Sequence, residues 1–396
     1  MRTPSRFAIK LVIAVALIAA ASRVAQSQRE RAIEISGLPA LNFDADEGVG
    51  YGVILALYAY QPGNAVYRWT LQPTVFLTTE GRRDYTVFFD APASAGRSWR
   101  TTLFAGHEQQ LAAPYYGLGN ASAYDSSLEH GGTRYFYRYG RQRDRISADF
   151  QHAIGHPSLR ALIGVGVSND AIDLTPFDSG TTLIQRELRN VTPPRAHTNY
   201  LRAGLTYDTR DREIGPRAGT WADILLQRTD KAFGATNSYT RWTATARHYQ
   251  PLGARLTLAN RLLAQNTIGD APFYALSEIQ SSQKTQDGLG GSSTVRGLPK
   301  DRYVGKGILV SNNELRWRTA DFSLAGRASS VVLSGFVDAG RVWSDGVDLS
   351  SAFDSLHAGY GGGVRLAYGA SFVIALDIGH SRESSAPMYI GLGYMF

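Results

Sequence analysis

The chain has 396 residues, including 41 Gly, 21 Tyr, 16 Phe and 6 Trp, with no cysteine and a formal net charge of +7. Without cysteine an exported fold cannot be stapled by disulfides. A mean hydropathy of −0.20, with no apolar run near the roughly twenty residues a spanning helix needs, excludes a bundle of transmembrane helices. The arginines are scattered at alternating positions and form no basic run, which argues against a nucleic-acid partner.

Residues 1–27 read as a signal peptide: Arg2, Arg6 and Lys10 precede the apolar run Leu11–Ala21, and Ser22–Gln28 is small and polar. Ala19–Ala21 and Ala25–Ser27 both offer small residues for cleavage. Residues 28–44 are expected to be a short periplasmic N-terminal segment, and 45–396 a β-barrel. Strand-like segments with period-two alternation run over Gly48–Tyr60, Ala65–Thr79, Tyr85–Ala91, Ser98–Glu108, Thr133–Gln142, Arg145–Ile154, Leu159–Ser168 and Thr198–Asp208. They continue over Thr220–Thr229, Tyr239–Tyr249, Arg255–Gln265, Gly307–Arg318, Val331–Trp343, Leu356–Ala367, Ser371–His380 and Met388–Phe396. The expected fold is all-β, a transmembrane antiparallel β-barrel of about sixteen strands, an even number as bacterial barrels require. Charge falls on one face of each clear strand, and the arginines suit a polar lumen or contact with anionic lipopolysaccharide. Long connections interrupt the pattern at Gln109–Gly132, Asn169–His197 and Asn266–Lys306, and loops of that length usually carry function.

At the C-terminus, Ile390, Leu392, Tyr394 and Phe396 alternate with Tyr389, Gly391, Gly393 and Met395, so the first set is expected to face lipid. Leu392, Tyr394 and Phe396 resemble the C-terminal signal by which outer-membrane proteins are recognised by the barrel assembly machinery. Gly391 and Gly393 should weaken this last strand.

The longest connection contains Gly288-Leu289-Gly290-Gly291-Ser292-Ser293-Thr294-Val295-Arg296-Gly297-Leu298, followed by Asn313-Glu314-Leu315-Arg316 and Gly335-Phe336-Val337-Asp338-Ala339-Gly340. Glu314 and Asp338 lie on the charged faces of their strands, so both carboxylates should enter the lumen and need a partner there. Arg296 can supply it only if its loop folds back inside. Two earlier segments agree: Tyr207–Asp211 followed by Pro216–Thr220, and Tyr115–Asn120. Taken in this order the set resembles the BamA/TamA superfamily, bacterial surface antigen barrels that insert or translocate proteins at the outer membrane.

The resemblance implies a long lumen-inserted loop locked by Arg296 to Glu314 and Asp338. Gly291 and Gly297 would make its tight turns, and Gly335 and Gly340 would leave it room against the wall. Val295 and Leu298 flank the arginine, and Leu298 stands where the family usually has an aromatic. The resemblance further implies a non-catalytic protein without cofactors, acting on polypeptide clients in contact with outer-membrane lipid and lipopolysaccharide. It also implies periplasmic POTRA domains, for which Arg29–Asn42 is too short. The expectation is therefore either a periplasmic adaptor that supplies recognition, or a porin-like channel or anchor without client activity. No G-x-S-x-G, H-E-x-x-H, P-loop or EF-hand pattern occurs, and His107, His248 and His380 read as girdle or lumen residues.

Overall fold

The computed structural model describes residues 33–396 apart from 45–47, 61–66, 80, 95–97, 175–180, 189–192, 325 and 370–371. The expected signal peptide lies outside the described residues. Sixteen strands form one antiparallel sheet in chain order: β1 Ile33–Asp44, β2 Gly48–Tyr60, β3 Tyr67–Thr78, β4 Arg83–Ser94, β5 Trp99–Pro114, β6 Arg138–Ile154, β7 His156–Asp173, β8 Arg195–Asp208, β9 Gly219–Thr229, β10 Tyr239–Pro251 and β11 Leu256–Gly269. After a loop holding the two-residue strands β12 Glu278–Ile279 and β13 Gln286–Asp287, the sheet resumes with β14 Gly307–Leu324, β15 Arg327–Trp343, β16 His357–Tyr368, β17 Phe372–His380 and β18 Met388–Leu392.

Strand alternation sorts the side chains. On β9, Trp221, Asp223, Leu225 and Gln227 are buried in the lumen, while Ile224 and Leu226 are exposed on the outer wall. An aliphatic outer wall and a polar interior are the pattern of a membrane barrel.

The expected number of strands is met through two errors that offset each other. Thr133–Gln142 and Arg145–Ile154 are not separate strands but belong largely to the single strand β6. The charged run at Gln142–Arg145 resembles a turn, yet alternation sends Arg143 inward to Asp170 and Asp144 outward to His107. Conversely, residues 28–44 are not merely a periplasmic segment, because Ile33–Asp44 pairs along its whole length with β2. Gly37 and Pro39 obscure its alternation, and Pro39 is tolerated because β1 is an edge strand.

β1 and β18 end the sheet and approach within 8 Å between Cα atoms, but no ladder joins them among the described residues. β18 has 5 residues against 12 in β1. The expected lipid-facing tail is also corrected here. Leu392 is exposed on the outer wall, but Gly393 adopts φ +81, a left-handed conformation that breaks the alternation and turns the tail into the lumen. Phe396 is buried against Tyr249 and Ala259. Its carbonyl oxygen accepts from Arg316 Nη2 at 3.0 Å, and the Arg316 guanidinium lies 4.3 Å from the Tyr394 ring centroid and 5.3 Å from that of Phe396. Tyr394 and Phe396 therefore face guanidiniums, not lipid.

The connection 270–306 crosses the lumen. Near its start Arg241 donates to the Ala275 carbonyl at 2.6 Å. Further along Ser282 N–H donates to Asp223 at 2.8 Å, and Lys284 Nζ reaches Gln72 Oε1 on β3 at 2.8 Å, its ammonium above the Phe88 ring. On either side of Lys284 lie cavities of about 300 and about 460 Å³. The loop then returns to the opposite wall, where Ile279, Leu289, Val295, Leu298 and Tyr303 pack on Leu263, Ile308, Val310 and Val342. Tyr115–Asn120 is more than a local turn: Gly119 N–H donates to the Val304 carbonyl at 2.7 Å, and Asn120 Oδ1 accepts from Val342 N–H at 3.0 Å. At the barrel's other end, the turn 209–218 folds inward, with Arg210 on Asp208 and Glu213 and Arg100 on Glu213.

Candidate functional site: a buried charge lock

Arg296 sits in a turn in which Leu298 N–H donates to the Val295 carbonyl and Gly291 N–H to the Leu298 carbonyl. Gly291 and Gly297 take φ +79 and +104, the left-handed region that glycine enters without steric cost. The guanidinium reaches Asp338 twice, Nε to Oδ2 at 2.8 Å and Nη2 to Oδ1 at 3.1 Å, and Glu314 through Nη1 at 2.8 Å. A third carboxylate, Asp377, lies 3.2 Å from Nη1.

Register explains the convergence. Asp338 stands opposite Asn312 on β14 and Gly359 on β16, and Asp377 on β17 stands opposite Gly363. Asn312 Nδ2 donates to Asp338 at 2.8 Å and Arg316 Nε to Glu314 at 2.8 Å, while Arg365 holds Asp377 at 2.6 and 2.9 Å. Three carboxylates and three guanidiniums thus balance, with Arg296, Glu314, Asp338 and Arg365 all 0% exposed. A buried set of this kind is tolerable only when every member is paired.

The sequence predicts Arg296, Glu314 and Asp338 and misses Asp377, Arg365 and Asn312. All three lie on the inward phase of their strands, which is the signal that could have found them. Leu298 is buried in the apolar cluster under the loop. The expected loss of an aromatic at the tip is met from the wall, where the Phe336 ring lies 3.4 Å from the Arg296 guanidinium carbon.

Of the two predicted wall glycines, only Gly340 receives the loop: a Cβ there would lie 2.4 Å from Leu289 Cδ1. Gly335 faces outward between exposed Leu333 and Val337, and a Cβ on it meets nothing within 4 Å. Its parity within β15 places it on the lipid side. The room comes instead from Gly359 and Gly379, where a Cβ would fall 1.9 Å from the Arg296 carbonyl oxygen and 2.7 Å from Gly297 N. The tip also touches the last strand: Gly297 N–H donates to the Tyr389 hydroxyl at 3.0 Å, and its carbonyl accepts from Ser381 Oγ at 2.7 Å. His107, His248 and His380 form no shared site. They contact Asp144, Thr220 and the Ser385 carbonyl respectively.

Asp301, at the far side of the loop, accepts from Gly288 N–H at 2.7 Å. Burial, reinforced by the Asp287 and Glu278 carboxylates and only partly offset by Lys300, pushes its carboxyl from 3.8 to about 8. Its folded pKa lies above its unfolded one, so its contribution to loop stability is complete below about pH 4 and is lost as the pH rises through about 8. Proteolysis within 270–306 should accelerate across this window relative to Asp301→Asn, which keeps the acceptor and cannot ionise. Parallel pH profiles for the two chains would disprove the assignment.

The Omp85 superfamily domain matches residues 77–393 of the chain. Over 272 residues the sequence is 25% identical to the outer membrane transporter CdiB of Dickeya dadantii (strain 3937), covering 63% of this chain and 45% of that protein. The chain thus spans under half the length of this relative. Among solved structures, BamA from Haemophilus ducreyi lacking POTRA domains 1–3 is similar with a TM-score of 0.56 and 14% identity, over 92% of this chain and 70% of that one. CdiB from Escherichia coli also gives a TM-score of 0.56, at 13% identity, over 92% and 63%. These likenesses agree with the sixteen-stranded antiparallel sheet, and the domain match across most of the strands places the chain in the Omp85 superfamily.

Proposed function

We propose that this outer-membrane barrel assists the insertion or translocation of polypeptides, without catalysis, against the alternative of a porin-like channel or anchor. The observation that carries this reading is the combination of an occupied lumen with a seam at which no ladder joins β1 and β18 among the described residues. The loop 270–306 is bound at Gln72 on one wall and at Asp338 on the other, which obstructs free diffusion, while β1 and β18 leave strand edges available for pairing. The relative CdiB is an outer membrane transporter by name, which supports transport as the role of this barrel.

The test uses the purified full chain in liposomes. It should accelerate insertion of an unfolded barrel client, and cross-linking β1 to β18 through introduced cysteines should abolish the acceleration. Large, stable, single-size pores with no effect on any client would establish the channel alternative instead.

A further inference from the structure

The outer wall from β4 to β8 carries an ordered arrangement separate from the lumen. Register sets Tyr85, His107, Asp144, Asn169 and His197 side by side on five consecutive strands. Alternation turns them outward, in phase with exposed Val87, Ile146 and Val167. They are linked laterally: His107 Nδ1 lies 2.6 Å from Asp144 Oδ1, His197 Nδ1 lies 2.6 Å from Asn169 Oδ1, and the Tyr85 and His107 rings are 6.2 Å apart.

The next outward row toward the long loops is Arg83, Gln109, Gln142, Ala171 and Arg195, and the next row the other way is Val87, Ala105, Ile146, Val167 and Asn199. The lipid-facing wall therefore changes from mainly aliphatic to hydrogen-bonding within one row. In membrane barrels the longer loops lie on the cell surface, which puts this change at the outer leaflet.

Arg83 and Arg195 are exposed at two corners of the patch and have no ion-pair partner among the described residues. The inward arginines of neighbouring strands, Arg143 and Arg202, are bound to Asp170 and Asp149. Guanidiniums left open at headgroup depth match phosphate oxygens, which they bind bidentately. Between them Gln109, Gln142, Asn169 and Tyr85 present donors and acceptors suited to sugar hydroxyls. Asp144, the one carboxylate of the two rows, is engaged by His107.

We propose that this face binds the phosphorylated headgroup of an outer-leaflet glycolipid, with Arg83 and Arg195 on phosphates and the intervening rows on sugar hydroxyls. The site does not depend on what the lumen transports. Titration of the detergent-purified full chain with bisphosphorylated lipid A, its dephosphorylated form and phosphatidylglycerol, read by native mass spectrometry, tests it. Bisphosphorylated lipid A should bind most tightly and lose affinity as salt is raised. Arg83→Gln combined with Arg195→Gln should weaken it about twenty-fivefold, from about fivefold per arginine, with heat-modifiable mobility on gels unchanged. Undiminished binding by the double variant, or salt-indifferent binding by the unmodified chain, overturns the arginine contacts. Equal binding of phosphatidylglycerol or of the dephosphorylated form overturns the glycolipid.

Discussion

Arg296→Ala should destabilise the inserted loop by about 3–5 kcal/mol, the cost of removing one member of a buried ion set. Glu314, Asp338 and Asp377 would then share Arg316 and Arg365 alone, and Asp338 would keep only Asn312 and the residue-296 amide. The temperature at which the folded gel band disappears should fall, and the loop 270–306 should become open to protease. Arg296→Lys should recover only part of the loss, because one ammonium cannot serve the fork on Asp338 and reach Glu314 together. Exchanging the charges, Arg296→Asp with Asp338→Arg, should not restore stability, since an aspartate at 296 would face Glu314 and Asp377. Wild-type melting and protease resistance in Arg296→Ala, or full rescue by the exchange, would each contradict this geometry.

Gly359→Ala should have a comparable effect by steric means, at about 3 kcal/mol, the upper end of the overpacking range. The added Cβ would fall 1.9 Å from the Arg296 carbonyl oxygen. Both atoms are fixed by backbone, so no rotamer relieves the clash and the loop tip must withdraw. Gly335→Ala, on the neighbouring strand β15 and three residues from Asp338, meets open space and should change stability by less than about 0.5 kcal/mol. Protease sensitivity at 270–306 in Gly359→Ala but not in Gly335→Ala is the expected pattern. Equal behaviour of the two would mean that the tip does not rest on β16.

The contrast between these glycines shows what the sequence could and could not convey. Strand existence and the inward phase of Glu314 and Asp338 follow from period-two alternation, and the need of buried charge for a partner calls for a cation there; that Arg296 supplies it is implied by the family resemblance. That logic extends to Asp377 and Arg365, but only once β16 is known to pair with β15 and β17 with β16. Gly335 was misplaced because a glycine has no side chain whose polarity reports its face; its parity with Leu333 and Val337 was the better guide. The tail was misread for a different reason. Alternation is a property of extended backbone, and Gly393 ends it, so Tyr394 and Phe396 are placed by Arg316 and Tyr249 rather than by the pattern of β18. β1 was missed because its partner β2, more than its own residues, determines that it is a strand.

The bond from Gly297 to Tyr389, with that from Ser381 to Gly297, has a consequence for the order in which the molecule is built. β18 is short and glycine-bearing and has no ladder to β1 among the described residues, so β17 and the inserted loop are its supports. The loop tip belongs 81 residues upstream of Asp377, and closing so long a segment carries an entropic cost that must be met before the contact stabilises anything. Folding of the last strand is therefore expected to wait on capture of the loop. A chain stalled with its loop outside would leave β18 and residues 393–396 unseated, so capture of the loop and seating of the last strand are coupled into one step.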